Sequence, residues 1–396
     1  MVDRVRIDLM PYLATLSLLS WLGLVLALCT TAYACLSLWA WFRCERKNQH
    51  PRANVNAQAS RPVSVLKPLH GAEPHLYENL KGFCTQQHAH YEILFGVRDG
   101  ADPAIPIVQR LQQEFPELPM ALVIDPSVHG ANLKVSNLIN LLAQARHEWV
   151  VLADSDISVT PDYLARVTAP LADPGVGIVT CLYHGVSRAG FNARLGRLFI
   201  DDWFAPSVRL AHAFGSTRFA FGSTIALRRD TLDAIGGFEA LKDTLADDFW
   251  LGEHSRQHGL RTVLSDVVVG TDVSETTFSS LWAHELRWLR TIRAISPTGF
   301  VFSFICFTWP LLVLALLMSP TTSCLIVAFL GGMARSWRYL VSWRSTARPY
   351  RWQDLWLTPF RDALLLLEWM GALVHWRVQW RGQELHARDH APSRYP

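Results

Sequence analysis

Apolar and polar positions divide this chain into three stretches of different character. From Pro11 to Phe42 no charged residue occurs, a run longer than the roughly 20 residues that cross a bilayer as a helix. A cleaved signal peptide has an apolar core of only about 7–15 residues, so the run predicts a retained transmembrane helix within residues 1–45. A second uncharged stretch runs from Gly299 to Ala334. Ser319-Pro320 splits it into two predicted helices, with Pro310 inside the first, and together they predict a hairpin that crosses out and back. A third segment, from Ala363 to Trp376, is short and carries Glu368. Its pattern leaves open whether it spans, dips in or lies flat. Residues 299–380 are read as a C-terminal membrane region.

Between these stretches, residues 61–276 alternate between buried-strand and amphipathic-helix patterns. Val63–Leu66, Glu92–Val97, Met120–Ile124 and Trp149–Ala153 read as strands. Pro74–Gln87, Pro103–Phe115 and Leu133–Arg146 read as helices, with Leu76, Leu80 and Phe83 at helical spacing in the first. Such alternation predicts an α/β domain with a mostly parallel sheet and helices on its faces. Asn48–Ser60 is polar and reads as a linker. Leu281-Trp-Ala-His284-Glu-Leu-Arg287-Trp288-Leu-Arg290 predicts an interfacial amphipathic helix within residues 277–298. Leu281, Trp282, Leu286 and Leu289 form its apolar side, and His284, Arg287 and Trp288 gather on another.

Composition sharpens this picture. Half of the chain is hydrophobic and 18% is charged, which is more apolar than an ordinary soluble enzyme. The net charge of +3 argues against a nucleic-acid partner. Basic residues cluster beside the apolar runs instead: Arg43, Arg46, Lys47, Arg52 and Arg61 after the first, and Arg335, Arg338, Arg344, Arg348 and Arg351 after the second. The positive-inside rule then puts the α/β domain in the cytoplasm. The seven cysteines are odd in number and form no CxxC pair, which argues against a disulfide framework or a zinc site.

The candidate chemistry lies at the carboxyl ends of the predicted strands, where open α/β sheets bind ligands. Strand one runs into Lys67-Pro68-Leu69-His70-Gly71, strand two into Arg98-Asp99-Gly100, and strand four into Asp154-Ser155-Asp156. Two carboxylates two residues apart can hold a hard divalent cation, magnesium or manganese, and leave positions open for substrate phosphates. Asp99 is either a turn residue or a hydrogen-bond partner for a nucleobase edge. Lys134 opens the third helix after a Gly130-Ala-Asn132 turn and is either a salt-bridge partner or a phosphate contact. Ala246-Asp247-Asp248-Phe249-Trp250 places two acids beside aromatic rings, either as a helix cap or as a site for a general base.

Taken together, these residues resemble the inverting, lipid-linked glycosyltransferases with a GT-A domain. The resemblance rests on Asp99, on Asp154 with Asp156, on Asp248 in its acidic pair, and on His284-x-x-Arg287-Trp288 in place of a (Q/R)xxRW helix. Asp99-Gly-Ala-Asp-Pro-Ala104, Gly130-x-Asn-x-Lys134-x-x-Asn-Leu138 and Gly222-Ser223-Thr224 are similar to ceramide glucosyltransferases. Ala205 stands before Pro206, where those enzymes carry histidine. The strings Thr217–Gly222 and His284–Trp288 are similar to the bacterial hopanoid-biosynthesis glycosyltransferases.

That resemblance implies a membrane glycosyltransferase of the inner membrane with a cytoplasmic catalytic domain. Its donor would be UDP-N-acetylglucosamine and its acceptor the hopanoid lipid bacteriohopanetetrol. The alternative within the same chemistry is a ceramide or other glycolipid glucosyltransferase. The alternative of another class is an inactive scaffold that binds sugar nucleotide and lipid. The implied roles are Asp248 as catalytic base and Asp154 and Asp156 as metal ligands. Pro68, His70, Asp99, Lys134, Asp154, Gly222, Ser223, His284, Arg287 and Trp288 would bind the nucleotide sugar.

Overall fold

The structure is a computed structural model and describes residues 10–48, 61–187, 190–345, 352–375, 377–380 and 383–386. The predicted linker lies outside these apart from Asn48, as do Arg52, Arg348 and Arg351.

The α/β domain begins with β1 (Val63–Pro68), α2 (Leu76–Cys84), β2 (Tyr91–Val97), α3 (Ile105–Glu114), β3 (Met120–Ile124), α4 (Leu133–Leu142) and β4 (Trp149–Leu152), preceded by α1 (Met10–Asn48). Each of these strands and helices falls on a predicted one, with helix ends a few residues shorter. The four strands pair in parallel in the order β3-β2-β1-β4. Val63 and Val65 point into one core layer with Leu80, Phe83, Val108 and Leu111. Leu66 points into the opposite layer with Val135, Leu138 and Leu141. Helices cover both faces, so the strands read as unbroken apolar runs rather than as alternating ones.

Beyond β4 come β5 (Ile157–Ser158), α5 (Tyr163–Thr168), β6 (Val176–Ser187), α6 (Gly190–Phe199), a π-helical turn (Ile200–Phe204) and α7 (Ala205–Ala213). Next are β7 (Ile225–Arg228), α8 (Arg229–Ala234), α9 (Asp247–Gln257) and β8 (Arg261–Val273). The sheet continues β4-β7-β6-β8-β5. β7 is antiparallel to β4 and β6, β6 is parallel to β8, and β5 is antiparallel to β8. The sheet is therefore mixed, with a parallel half as expected and a second half of mixed direction that continues it beyond β4.

The C-terminal region holds α10 (Phe278–Ile295), α11 (Pro297–Phe302), α12 (Thr308–Met318), α13 (Thr322–Ser345) and α14 (Thr358–Val374). Thr277 caps α10 by accepting from the Ser280 amide. Among the described residues, two helices are long and apolar enough to cross a membrane, within Ser17–Glu45 and Thr322–Ser342. Ser319 and Pro320 break the second apolar stretch as expected. Its first limb is broken again at Phe307, where Pro297–Cys306 and Thr308–Met318 meet at 71°. Pro310 stands in the first turn of α12 rather than mid-helix, where a missing N–H costs no internal bond. Helix α1 packs closely on α12 and α13: Thr31 Oγ1 donates to the Val327 carbonyl at 3.0 Å, and Gly23 abuts the Ala315 carbonyl. Small residues at such contacts let apolar helices approach without a hydrophobic driving force.

Candidate active site

One cavity of about 770 Å³ lies where the two halves of the sheet meet. Pro68, Lys134, Asp154, Asp156, Gly222, Ser223, Asp248, His284, Arg287 and Trp288 all line it. These residues come from β1, α4, the β4 end, the turn before β7, the first turn of α9, and α10. No local sequence window contains them together.

Local chemistry fixes each group. The Asn132 side chain caps α4 by accepting from the Lys134 and Val135 amides, and its own amide donates to the Thr244 carbonyl at 2.8 Å. That locks Lys134 into a first turn docked on the loop before α9. Lys134 Nζ lies 2.6 Å from Asp154 Oδ1 and 3.7 Å from an Asp247 oxygen. Of the two sequence readings of Lys134, the salt bridge is therefore present. Burial alone would lower the lysine's proton affinity, but Asp154 and Asp247 outweigh it and raise it well above the ordinary value.

Asp156 accepts from the Thr271 hydroxyl at 2.6 Å. Burial, and then the neighbouring Asp154 charge, push its carboxyl up to about 7. Beneath the pair, Lys67 is buried over the Phe83 ring and donates to the Asp154 carbonyl at 2.5 Å.

Asp248 accepts one backbone amide on each oxygen, from Gly222 and from Phe249, both at 2.8 Å. Burial, and then the Asp247 charge beside it, push Asp248 up to about 6, while Lys134 pulls the other way. Asp247 and Asp248 stand in the first turn of α9, but its N-cap is Ala246 and no side chain caps it, so the cap reading does not hold; Asp248 faces the cavity instead.

Gly222 marks the convergence point. A Cβ there would lie 3.0 Å from Lys134 Nζ, 3.2 Å from Asp154 Oδ2 and 3.5 Å from Asp248 Oδ2. Gly222→Ala is expected to leave the melting temperature unchanged within a few degrees. It should lower kcat/KM by about tenfold or more, because an added methyl displaces groups that must hold their geometry to well under 1 Å. Wild-type kinetics in that variant would show that the three groups need not meet there.

Two expected residues lie apart. Asp99 is exposed and accepts from the Ala101 amide at 2.9 Å within its own turn. His70 is exposed, with Nδ1 3.9 Å from Asp102. Neither lines the cavity. Sequence reading missed Glu73, Tyr183, Phe204 and Glu275, which do. The Ser155 hydroxyl donates to Glu73 at 2.7 Å. Tyr183 stacks on Phe204 with centroids 4.9 Å apart. Glu73 and Glu275 follow strand ends, a signal that many residues share, while Tyr183 lies within β6 and Phe204 in the π-helical turn, where the sequence offers none.

The cavity thus combines two linings. One is acidic, with Asp154, Asp156 and Asp248 around Lys134. The other is aromatic: Phe204 meets Phe221 at 5.3 Å and Trp288 at 6.0 Å, and Phe219 stacks on Phe221 at 5.6 Å. Acid pair and aromatic wall together suit a phosphorylated ligand that meets an apolar one.

A family model, Glycosyl transferase family 21, matches residues 19–391, nearly the whole chain. The chain belongs to that family. Its partly parallel sheet with helices on both faces is the α/β fold expected from its residues. It is similar to Ceramide glucosyltransferase 1 of Caenorhabditis elegans, 27% identical over 268 residues, 67% of this chain and 55% of that one. It is also similar to Beta-monoglucosyldiacylglycerol synthase of a Synechocystis strain, 25% identical over 189 residues, 46% of this chain and 37% of that one. The chain spans about half the length of the first curated relatives it matches. Among solved structures it is similar to the mannosyltransferase PcManGT from Pyrobaculum calidifontis in complex with GDP-Man and Mn2+. That likeness has a TM-score of 0.49 at 21% identity and covers 88% of this chain and 99% of that one.

The acid pair fits a divalent cation in one respect: Asp154 raises the proton affinity of Asp156, a repulsion that a cation would relieve. Among the described residues no group of three or more histidine, cysteine, aspartate or glutamate side chains could hold a metal. A cation held here would therefore need donor oxygens from the substrate as well, as magnesium sites commonly do.

Proposed function

We propose that this protein transfers a hexosyl group from a UDP-sugar to a hydroxyl of a membrane lipid, with inversion at the anomeric carbon. The observation that carries this reading is one cavity lined by both acids and aromatic rings. Its acidic residues suit a sugar diphosphate, and its aromatic residues include Trp288 of α10, which leads directly into the apolar helices. The expected placement is the inner membrane, crossed by α1 and α13, with the α/β domain on the cytoplasmic side.

In the proposed reaction the acceptor oxygen attacks the anomeric carbon as the bond to the diphosphate breaks. UDP leaves with the bonding electron pair, and the acceptor proton passes to Asp248. Both Asp248 oxygens are oriented by backbone amides, and each keeps a lone pair for that proton. Asp154 and Asp156 would hold a magnesium or manganese ion, which supplies charge neutralisation for the diphosphate when bound. Arg287 and His284 face the same cavity from α10 and would contact the departing phosphate oxygens. Asp99 and His70, at the same sheet edge but outside the cavity, would act on the uridine end.

For the acceptor, the named relatives favour glucose transfer to a ceramide- or diacylglycerol-type lipid. A second reading, N-acetylglucosamine onto the hopanoid bacteriohopanetetrol, is favoured by the Thr217–Gly222 and His284–Trp288 strings. Incubation of the purified chain with a panel of UDP-sugars, manganese and each lipid class, followed by mass analysis, separates them. A hexosyl-lipid with one donor is the expected product. No glycolipid with any donor, together with no metal-dependent UDP-sugar hydrolysis, would leave the scaffold reading in its place.

A further inference from the structure

The three residues between β8 and the cap of α10 carry Glu275, and its carboxylate accepts a hydrogen bond from His284 Nδ1. Glu275 is mostly buried and His284 is partly exposed to the cavity. The imidazole also lies edge-on to Trp288, with centroids 5.3 Å apart at 77°. Trp288 is itself held by Tyr183 at 6.0 Å and Phe199 at 5.7 Å. The segment bearing Glu275 is tethered as well, because Asn192 donates to the Thr276 carbonyl at 2.7 Å. His284 is thus fixed on two sides by groups that cannot readily move.

A histidine that donates through Nδ1 has one remaining ring nitrogen. It donates there only as imidazolium, since the neutral ring with Nδ1–H presents an acceptor at Nε2. An acceptor edge would repel phosphate oxygens, whereas an imidazolium with a carboxylate behind it offers them an N–H. Burial would raise the Glu275 carboxyl, but the His284 hydrogen bond and charge, with help from Arg287, hold it below the usual range. Glu275 comes from the β8–α10 turn and Arg287 and Glu285 from the ring's own helix, while Glu73, Lys134, Asp154, Asp156, Arg218, Asp247, Asp248 and Asp272 line the same cavity.

We propose that Glu275 is a positioning residue: its hydrogen bond at Nδ1 fixes the His284 ring, and its charge offsets the imidazolium that must form when Nε2–H binds a diphosphate oxygen of the nucleotide. This rests on the donor reading above and adds a partner for the leaving group that acts through a pair rather than through one side chain.

The test is the affinity of the full chain in lipid nanodiscs, with manganese present, for UDP, inorganic pyrophosphate and uridine. Glu275→Gln keeps the shape and removes the charge. It should weaken UDP and pyrophosphate by about tenfold, the worth of one charge-assisted hydrogen bond, and leave uridine unchanged. Adding His284→Arg to that variant supplies a cation that needs no partner, and should restore UDP binding to near the wild-type value. Three results would each overturn the role: undiminished UDP binding in Glu275→Gln, an equal loss for uridine, or no recovery with arginine. A wild-type chain that binds neither UDP nor pyrophosphate sinks the donor reading as well, and so is distinguishable from failure of the pair alone.

Discussion

Asp248→Asn is expected to lower the rate of sugar transfer by about 10²–10⁴-fold, the usual worth of a general base, with UDP affinity near that of the wild type. Asparagine keeps the size of the side chain and one acceptor oxygen but cannot take the acceptor's proton. The two backbone amides that orient Asp248 explain why the effect should fall on kcat: the side chain is already held in place before substrate arrives. The same group sets a pH dependence. Burial and then the Asp247 charge raise Asp248 to about 6, and a base works only when deprotonated. Activity should therefore be full above that value and fall as the pH drops through it. Asp247→Asn removes the neighbouring charge, so the acid limb should move to lower pH. A profile whose acid limb is the same in wild type and Asp247→Asn would detach the limb from this pair. Undiminished turnover in Asp248→Asn would remove Asp248 from the base role altogether.

The second large effect is on stability. Arg361 on α14 is fully buried between Glu285 of α10, at 2.9 Å, and Glu368 of its own helix. Arg361→Met leaves two buried carboxylates facing each other without a counter-ion, and breaking a buried pair in this way costs about 3–5 kcal/mol. The variant should melt at clearly lower temperature in detergent and accumulate poorly. Replacing Glu285 and Glu368 by leucine in the same variant should recover most of the loss, because an apolar set of similar volume has no charge to desolvate. A melting temperature unchanged by Arg361→Met would show that water reaches the acids. Glu285 is the residue next to His284, so this triad also sets where α10 stands against the cavity. Two further buried sets join the same regions: Asp202 with Arg335 and Arg338, and Asp354 with Arg194 and Arg197.

These triads show where reading the sequence stopped. Glu368 was visible as an acid inside an apolar segment, and that left the segment's placement open. Its partner is on the same helix, but the partner they share is on α10, more than 70 residues away in the chain. Nothing in the periodicity of either segment pairs them. The same holds for Glu275, which sits in an ordinary strand-to-helix turn and matters only because α10 folds back over it.

What the sequence determined by itself is local or repeats with a fixed period. The apolar run of α1, the break at Ser319-Pro320 and the four parallel strands follow from local composition, and the helices between the strands from apolar positions at helical spacing. The placement of Asp154 and Asp156 follows too, since a strand end exposes whatever comes after it. Tertiary structure alone decided the rest. The antiparallel β7 runs beside β4, so the turn before it brings Gly222 to Asp154 at the carboxyl end of β4, and α9 brings Asp248 to the same point. α10 closes the far side with His284, Arg287 and Trp288. Asp99 and His70 share the strand-end logic of Asp154, yet neither lines the cavity. The physical reason is that a strand end fixes which edge of a sheet a residue occupies, while long-range packing fixes which residues at that edge face one another.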